Sequence, residues 1–283
     1  MSEDTLLLGP APRPQTSEAL TAALRSAVAA LVPRGVQGVD RATIQATLEG
    51  STISNLTVDL TGVEVPSVSD DLLDVRLPQV ETRSSEPATI SHATLSANPI
   101  TVAGARVSLS GQVNDLPALW VETTQGQAGL QVLEPKDPAR PVSGEGQASV
   151  AKAELQAAAL RVGQQFAKQM GVTLDDLTLD LVQVSPQQIK FGADARVKKG
   201  FVGASAQVSG SATLDQAMNV TLSNIEVGSK NPIINALLGA MKGRVERYNG
   251  KTIRINERLP RGVRLTHAEF QVTDQVVVKG RIG

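Results

Sequence analysis

The chain contains no cysteine, which removes disulfides, thiolate zinc sites and cysteine nucleophiles from consideration. Aromatic side chains are nearly as scarce, with one Trp (Trp120), one Tyr (Tyr248) and four Phe. Single-stranded nucleic acids are held largely by bases stacking on aromatic rings, so that class of partner is not expected. Neither sign of charge dominates. Twenty-seven Lys and Arg face 28 Asp and Glu, a net charge of −1, and no basic stripe stands out that would neutralise a phosphate backbone. Nowhere do about 18 apolar residues run together, so no membrane-spanning helix is predicted.

The start, Met1-Ser2-Glu3-Asp4, is acidic where a signal peptide is basic, and Leu6-Leu7-Leu8 stops at Gly9-Pro10. Three prolines and no periodicity over residues 1–15 predict a disordered N-terminal tail. On its own, this reading places the protein in the cytoplasm.

What is abundant is aliphatic. Hydrophobic residues make up 41% of 283, enough to bury a substantial core built of Val, Leu, Ile and Ala. Such residues suit wide sheets and smooth apolar cavities. From Thr16 or Ser17, Leu20, Leu24, Val28 and Leu31 recur at helical spacing until Pro33 and Gly35. From Ile53 the period becomes two: Leu56, Val58 and Leu60, then Val63 and Val65 out of phase after a predicted bulge at Gly62. Further alternation marks Leu73 to Leu77 and Ala105 to Leu109. The Pro-rich stretch 134–141, prolonged by Ser143 to Gly146, reads as a connection.

A second helix is predicted after Ser149, with Leu155, Ala159, Val162, Phe166 and Met170 on one face and Gly171 as its end. Strands follow over Leu177–Val184, Ile189–Val197, Val202–Leu214 and Met218–Leu222. The small inward residues of the Val202 run imply something bulky against them, either a helix or a ligand. Asn231-Pro232 opens a third helix carrying Ile233, Leu237, Met241, Val245 and Tyr248, and closing strands lie near Ile253, Val263 and Val276. The echo of Leu56-Thr57-Val58-Asp59-Leu60 in Leu177-Thr178-Leu179-Asp180-Leu181 raises the alternative of two similar halves, 16–134 and 147–283, within a single domain spanning 16–283.

Chemistry-bearing patterns are thin. The only histidines, His92 and His267, lack ligand-spaced partners, so no metal is expected, and Glu269 beside His267 fits a solvated strand face. No Gly-x-Ser-x-Gly elbow occurs. Gly250-Lys251-Thr252 lacks the upstream glycine and strand of a phosphate loop. Asp175, Asp176 and Asp180 do not form a calcium loop. The expectation is a protein that is not an enzyme and needs no cofactor.

The segment from Pro232 to Tyr248, the strand Ile253–Asn256, the turn Leu259-Pro260-Arg261-Gly262 and the closing strand Gln275–Gly280 resemble, in that order, the C-terminal part of the LmeA-like phospholipid-binding family. The first helix, the strand pair from Gly50 to Val65 and the helix from Ser149 stand in similar order. The resemblance implies a tubular lipid-binding (TULIP-like) fold: α+β, a large, curved, mainly antiparallel sheet wrapped around amphipathic helices. It also implies non-enzymatic binding or transfer of phospholipid in a tunnel between helices and sheet, transient membrane-surface contact and residence in the cell envelope. Leu155, Val162, Phe166, Leu237 and Met241 are the candidates to line such a tunnel. The alternative reading is a structural or protein-interaction β-rich protein with no ligand.

Overall fold

Alternating aliphatic and polar residues make strands of most of this chain, and amphipathic stretches make helices, in a computed structural model. The structure describes residues 3–33, 35–66, 77–135, 141–169, 171–199 and 202–283, apart from 233, 234, 237, 240–242, 244, 245, 247 and 260. For 3, 166, 169, 199 and 202 it describes only the backbone. The strand predicted over Leu73 to Leu77 and most of the third helix, with Leu237 and Met241, therefore lie outside the described residues.

In chain order come β1 (Glu3–Asp4), β2 (Leu6–Pro10), α1 (Ser17–Leu31), β3 (Thr43–Glu49), β4 (Thr52–Asp59), β5 (Glu64–Val65) and β6 (Gln79–Val80). Two long strands follow, β7 (Thr82–Val102) and β8 (Ala105–Thr123), then β9 (Gln127–Val132) and β10 (Ser143–Ala151). The remainder is α2 (Lys152–Gln169), β11 (Thr173–Ser185), β12 (Gln188–Lys199), β13 (Val202–Leu214), β14 (Asn219–Gly228), β15 (Thr252–Arg254), β16 (Leu265–Val272) and β17 (Gln275–Ile282).

Among the described residues the strands form a ten-stranded sheet, a five-stranded sheet and a two-stranded ribbon of β1 and β6, rather than one continuous sheet. The protein is thus α+β and mostly sheet. The large sheet runs β16-β17-β10-β8-β7-β4-β3, with β2, β9 and β5 attached, and is mixed because β4 and β5 run parallel to β7. The small sheet is an antiparallel meander, β11 to β15. Strands β10, β16 and β17 complete the large sheet, so its membership crosses the division at 134–147.

Three local expectations are corrected. Residues 6–10 are not a disordered tail: Leu6 and Leu8 already have a strand's spacing, β2 pairs with β9, and Leu8 is buried. Ser143 to Gly146 are not a loop but the start of β10, paired on both sides. The glycines that suggested a turn sit flat between two partner strands instead. At Gly62 the chain makes a turn, not a bulge: Val63 N–H donates to Leu60 O (3.1 Å) and Gly62 has φ +82°.

The prolines of β7 sit where its ladder tolerates them. β4 pairs with β7 only from Thr89 onward, leaving Pro87 on an unpaired flank, and Pro99 falls in a bulge opposite β8.

Helices α1 and α2 each guard a sheet edge. In α1, whose N-cap Thr16 accepts from Ala19 N–H (3.2 Å), Leu20, Leu24 and Ala27 are buried. Its polar side chains meet the open backbone of β3: Thr21 Oγ1 accepts from Ala46 N–H (3.0 Å), Ser17 Oγ from Leu48 N–H (2.9 Å), and Arg25 Nε donates to Ile44 O (3.1 Å). Similarly, α2 covers β11, with Gln164 donating to Leu174 O (3.3 Å) and Gln156 accepting from Leu179 N–H (3.4 Å). An exposed strand edge invites pairing with other chains, and these contacts block it. The main core lies between α1 and the large sheet, around Leu20, Ile53, Ile90, Leu116 and Trp120, whose indole N–H donates to Ser51 O (2.8 Å).

Candidate functional site

Five consecutive strands of the large sheet bring five small or apolar residues into one cross-strand row. Leu95 of β7 lies opposite Gly111 of β8, Gly111 opposite Gly146 of β10, Gly146 opposite Gly280 of β17, and Gly280 opposite Ala268 of β16. The neighbouring row on one side is Leu109, Ala148, Val278 and Phe270, and on the other Val113, Gly144, Ile282 and Leu265. Alternation places all three rows on one face of the sheet. Gly111 and Gly146 thus leave a trough, flanked by apolar side chains and crossing the strands, and at Gly280 the Leu265 side chain closes over the backbone.

Above the trough stand Leu214 of β13, Val220 of β14, and Ile255 and Leu259 from the stretch after β15. The two sheets meet along β16, where Leu214 and Met218 pack with Ala268, supported by Leu265 and Phe270. They are held there by Gln183 of β11, whose amide donates to Phe270 O (2.9 Å) and accepts from Val272 N–H (3.0 Å). Away from this seam a cleft of about 510 Å³ opens between them, reaching Leu56, Val58, Ala93 and Leu95. Leu95 and Val278 remain 37% and 36% exposed at its margin. Leu56, Val58, Ala93, Val113, Leu259 and Ile282 also pack against the main core, so the cleft continues that core outward.

Glycine geometry separates those that must be glycine from those that leave room. A Cβ on Gly144 would lie 2.2 Å from Gln112 O, which backbone cannot yield. On Gly111 and Gly146 the nearest atoms would be 3.6 Å away, ordinary contact, and neither residue has positive φ. Nothing in the backbone excludes a larger side chain at either position.

Charge is kept to the other face. There Gln112, Glu145, Arg281 and His267 form one row, and Ser110, Gln147, Lys279 and Glu269 the next, lining a polar groove of about 660 Å³. His267 Nε2 is 4.0 Å from Glu269, and both side chains are about half exposed. Among the described residues no group of three or more His, Asp or Glu side chains is arranged to hold a metal ion. His92 Nδ1 lies 2.7 Å from Asn114 Oδ1 within the sheet.

Two carboxylates near the cleft are held below their ordinary range. The Thr61 hydroxyl donates to Asp59 (2.6 Å) and lowers its pKa, fixing the chain just beyond Val58. A hydrogen bond from Arg106 (2.7 Å) lowers Glu154 and ties α2 to β8.

Of the residues predicted to line a tunnel, Leu155 is half-buried on α2 and Val162 is 41% exposed; the Phe166 side chain, Leu237 and Met241 lie outside the described residues. The structure does not bring Leu155 and Val162 to the cleft, whose described lining comes from strands and from Ile255 and Leu259. The residues that sequence reasoning missed are the glycines. Each stands where alternation calls for an apolar side chain, as in Leu109-Ser110-Gly111-Gln112-Val113 and Val278-Lys279-Gly280-Arg281-Ile282. A glycine inside a strand is a known sign of close approach by something else.

No helix among the described residues is long and apolar enough to cross a membrane. No family model, curated protein or solved structure matches this chain.

Proposed function

We propose that the protein binds the hydrocarbon chain of a lipid, or an apolar ligand of similar shape, in the cleft between the two sheets, without catalysing a reaction on it. The observation that carries this reading is the trough itself: an aliphatic-walled cavity of about 510 Å³ whose floor is glycine at Gly111, Gly146 and Gly280. Ligand sites are commonly concave, mainly apolar and roughly 300–1,000 Å³ in volume. From Leu95 to Gly280, short of the seam at Ala268, the row crosses three strand spacings of about 4.8 Å each, roughly 14 Å in all, a length suited to much of an extended acyl chain. The resemblance of the C-terminal residues to LmeA-like phospholipid-binding proteins points the same way.

Energetics set the ligand class. Each buried methylene contributes about 0.8 kcal/mol, and association costs roughly 4–15 kcal/mol. At the low end of that cost, a chain of about eight carbons (about 6 kcal/mol) gains little, whereas one of about fourteen or more (about 11 kcal/mol) leaves a useful surplus. The charged side chains near the trough point away from it, so the headgroup stays outside and selectivity falls on chain length.

Organic extraction of the purified protein followed by mass spectrometry tests this. The reading expects a long-chain lipid in near-stoichiometric amount, or its uptake when a long-chain fatty acid is offered. A protein that is empty and also refuses long-chain fatty acids would end the proposal.

A further inference from the structure

Charge is not spread evenly over this nearly neutral chain. Residues 242–264 hold eight Lys and Arg against two Glu, so the segment carries +6 and the remainder −7. A basic stretch not apparent in the overall composition is thus present locally, and its Ile255 and Leu259 line the cleft.

Its residues 251–259 and 261–264 bridge the two sheets. It starts at β15 on the small sheet, passes a short 3-10 turn at Ile255–Glu257, and reaches the large sheet where Gly262 abuts Leu133 O and Leu116. Ile255, Leu259 and Val263, four residues apart, face inward: the first two line the cleft and Val263 is buried in the main core. Lys251, Arg254, Arg258, Arg261 and Arg264, three or four residues apart, are all exposed. Glu257 lies beside Arg254 (3.2 Å) and Glu134 beside Arg264 (3.4 Å). Tyr248 and Ile253, 51% and 36% exposed, add apolar surface at the small-sheet end, and Lys251 lies over the Tyr248 ring at 5.4 Å.

We infer that this strap docks the protein on an anionic lipid bilayer, its cations meeting headgroups while Tyr248 and Ile253 enter the interface. Clusters of four to eight Lys and Arg are the usual charge of such contacts, and an amphipathic rim of aromatic and aliphatic residues accompanies them. Glu246 and Glu257 in this segment, the acidic remainder of the chain and the near absence of aromatic stacking groups disfavour nucleic acid. Docking stands on the strap's own charge pattern; that it delivers a chain to the cleft rests on the lipid-binding reading above.

The test is co-sedimentation with vesicles of phosphatidylcholine, with and without phosphatidylglycerol, at low and high salt. Wild-type protein pellets with the mixed vesicles, not with pure phosphatidylcholine, and high salt releases it. The Lys251→Gln, Arg254→Gln, Arg258→Gln triple variant partitions on the order of 100-fold less, and the salt dependence of the wild type decides the matter if that variant misfolds. Binding to neutral vesicles equal to that on anionic ones, no binding to either, or strap-dependent binding of a single-stranded oligonucleotide at least as tight as the vesicles, overturns the inference. Gly146→Val separates the two readings, because it occludes the cleft and leaves the strap intact: it keeps docking and loses ligand.

Discussion

The two ends of the large sheet present the same kind of apolar face and treat it oppositely. Beneath α1 the face is filled by the chain itself, with Leu20 and Ile53 at 0% exposure and Trp120 at 2%. Towards β16 and β17 the same face carries glycine in its central row, and the small sheet roofs it without filling it. A sheet that supplies large side chains where a helix rests, and glycine in its central row where another sheet passes overhead, has a core at one end and a vacancy at the other.

That contrast can be broken by substitution. Leu20→Ala, in the filled end, costs about 3 kcal/mol in urea or thermal denaturation. Leu95→Ala, on the cleft margin, costs under about 1 kcal/mol because the residue is already part-exposed. Equal losses at the two positions would mean that the cleft is ordinary core.

A smaller effect tests the edge guard that holds α1 in place. Thr21→Val removes the hydroxyl contact with the Ala46 N–H of β3 and is expected to cost about 1–2 kcal/mol, because a backbone donor loses its partner. A variant as stable as the wild type, by the same denaturation measurement, would show that α1 is held by its apolar face alone.

The smallest expected effect is in acid. Asp59, Glu86, Glu154 and Asp215 are held below their ordinary values by Thr61, Arg13, Arg106 and the Asn219 N–H, respectively. Because these folded-state pKa values are depressed, the stability they add is fully present well above the ordinary values of 3.8 for Asp and 4.5 for Glu, and is lost as pH falls through them towards the folded-state values. Denaturation midpoints should be flat from neutral pH down to about pH 5.5 and decline below that. A loss already between pH 7 and 6 would implicate a different group.

Much of the secondary structure was legible in sequence because it rests on local periodicity. The face Leu20-Leu24 and the alternations over Leu177–Leu181 and Ile189–Val197 need no partner to be read. The cleft was not legible in that way, since it exists only through register: Gly111, Gly146 and Gly280 are far apart in the chain and adjacent only once β8, β10 and β17 pair. Composition misled at Ser143 to Gly146, where residues typical of turns serve as a flat strand between two others. The wall expected from α2 failed for a further reason. Helical periodicity marks Leu155 and Val162 as one face, yet α2 settles on β11 through small residues, with Gly163 against the Leu174 side chain, and leaves Val162 at 41% exposure.

Titration of a fluorescent long-chain fatty acid into wild-type protein and Gly146→Val tests the vacancy most directly. The account predicts that Gly146→Val is as stable as the wild type, or more stable by about 0.5–1 kcal/mol, since valine suits a strand better than glycine, while its affinity for the fatty acid falls at least tenfold. A Gly146→Val protein that folds and binds as the wild type does would show that no hydrocarbon occupies the trough.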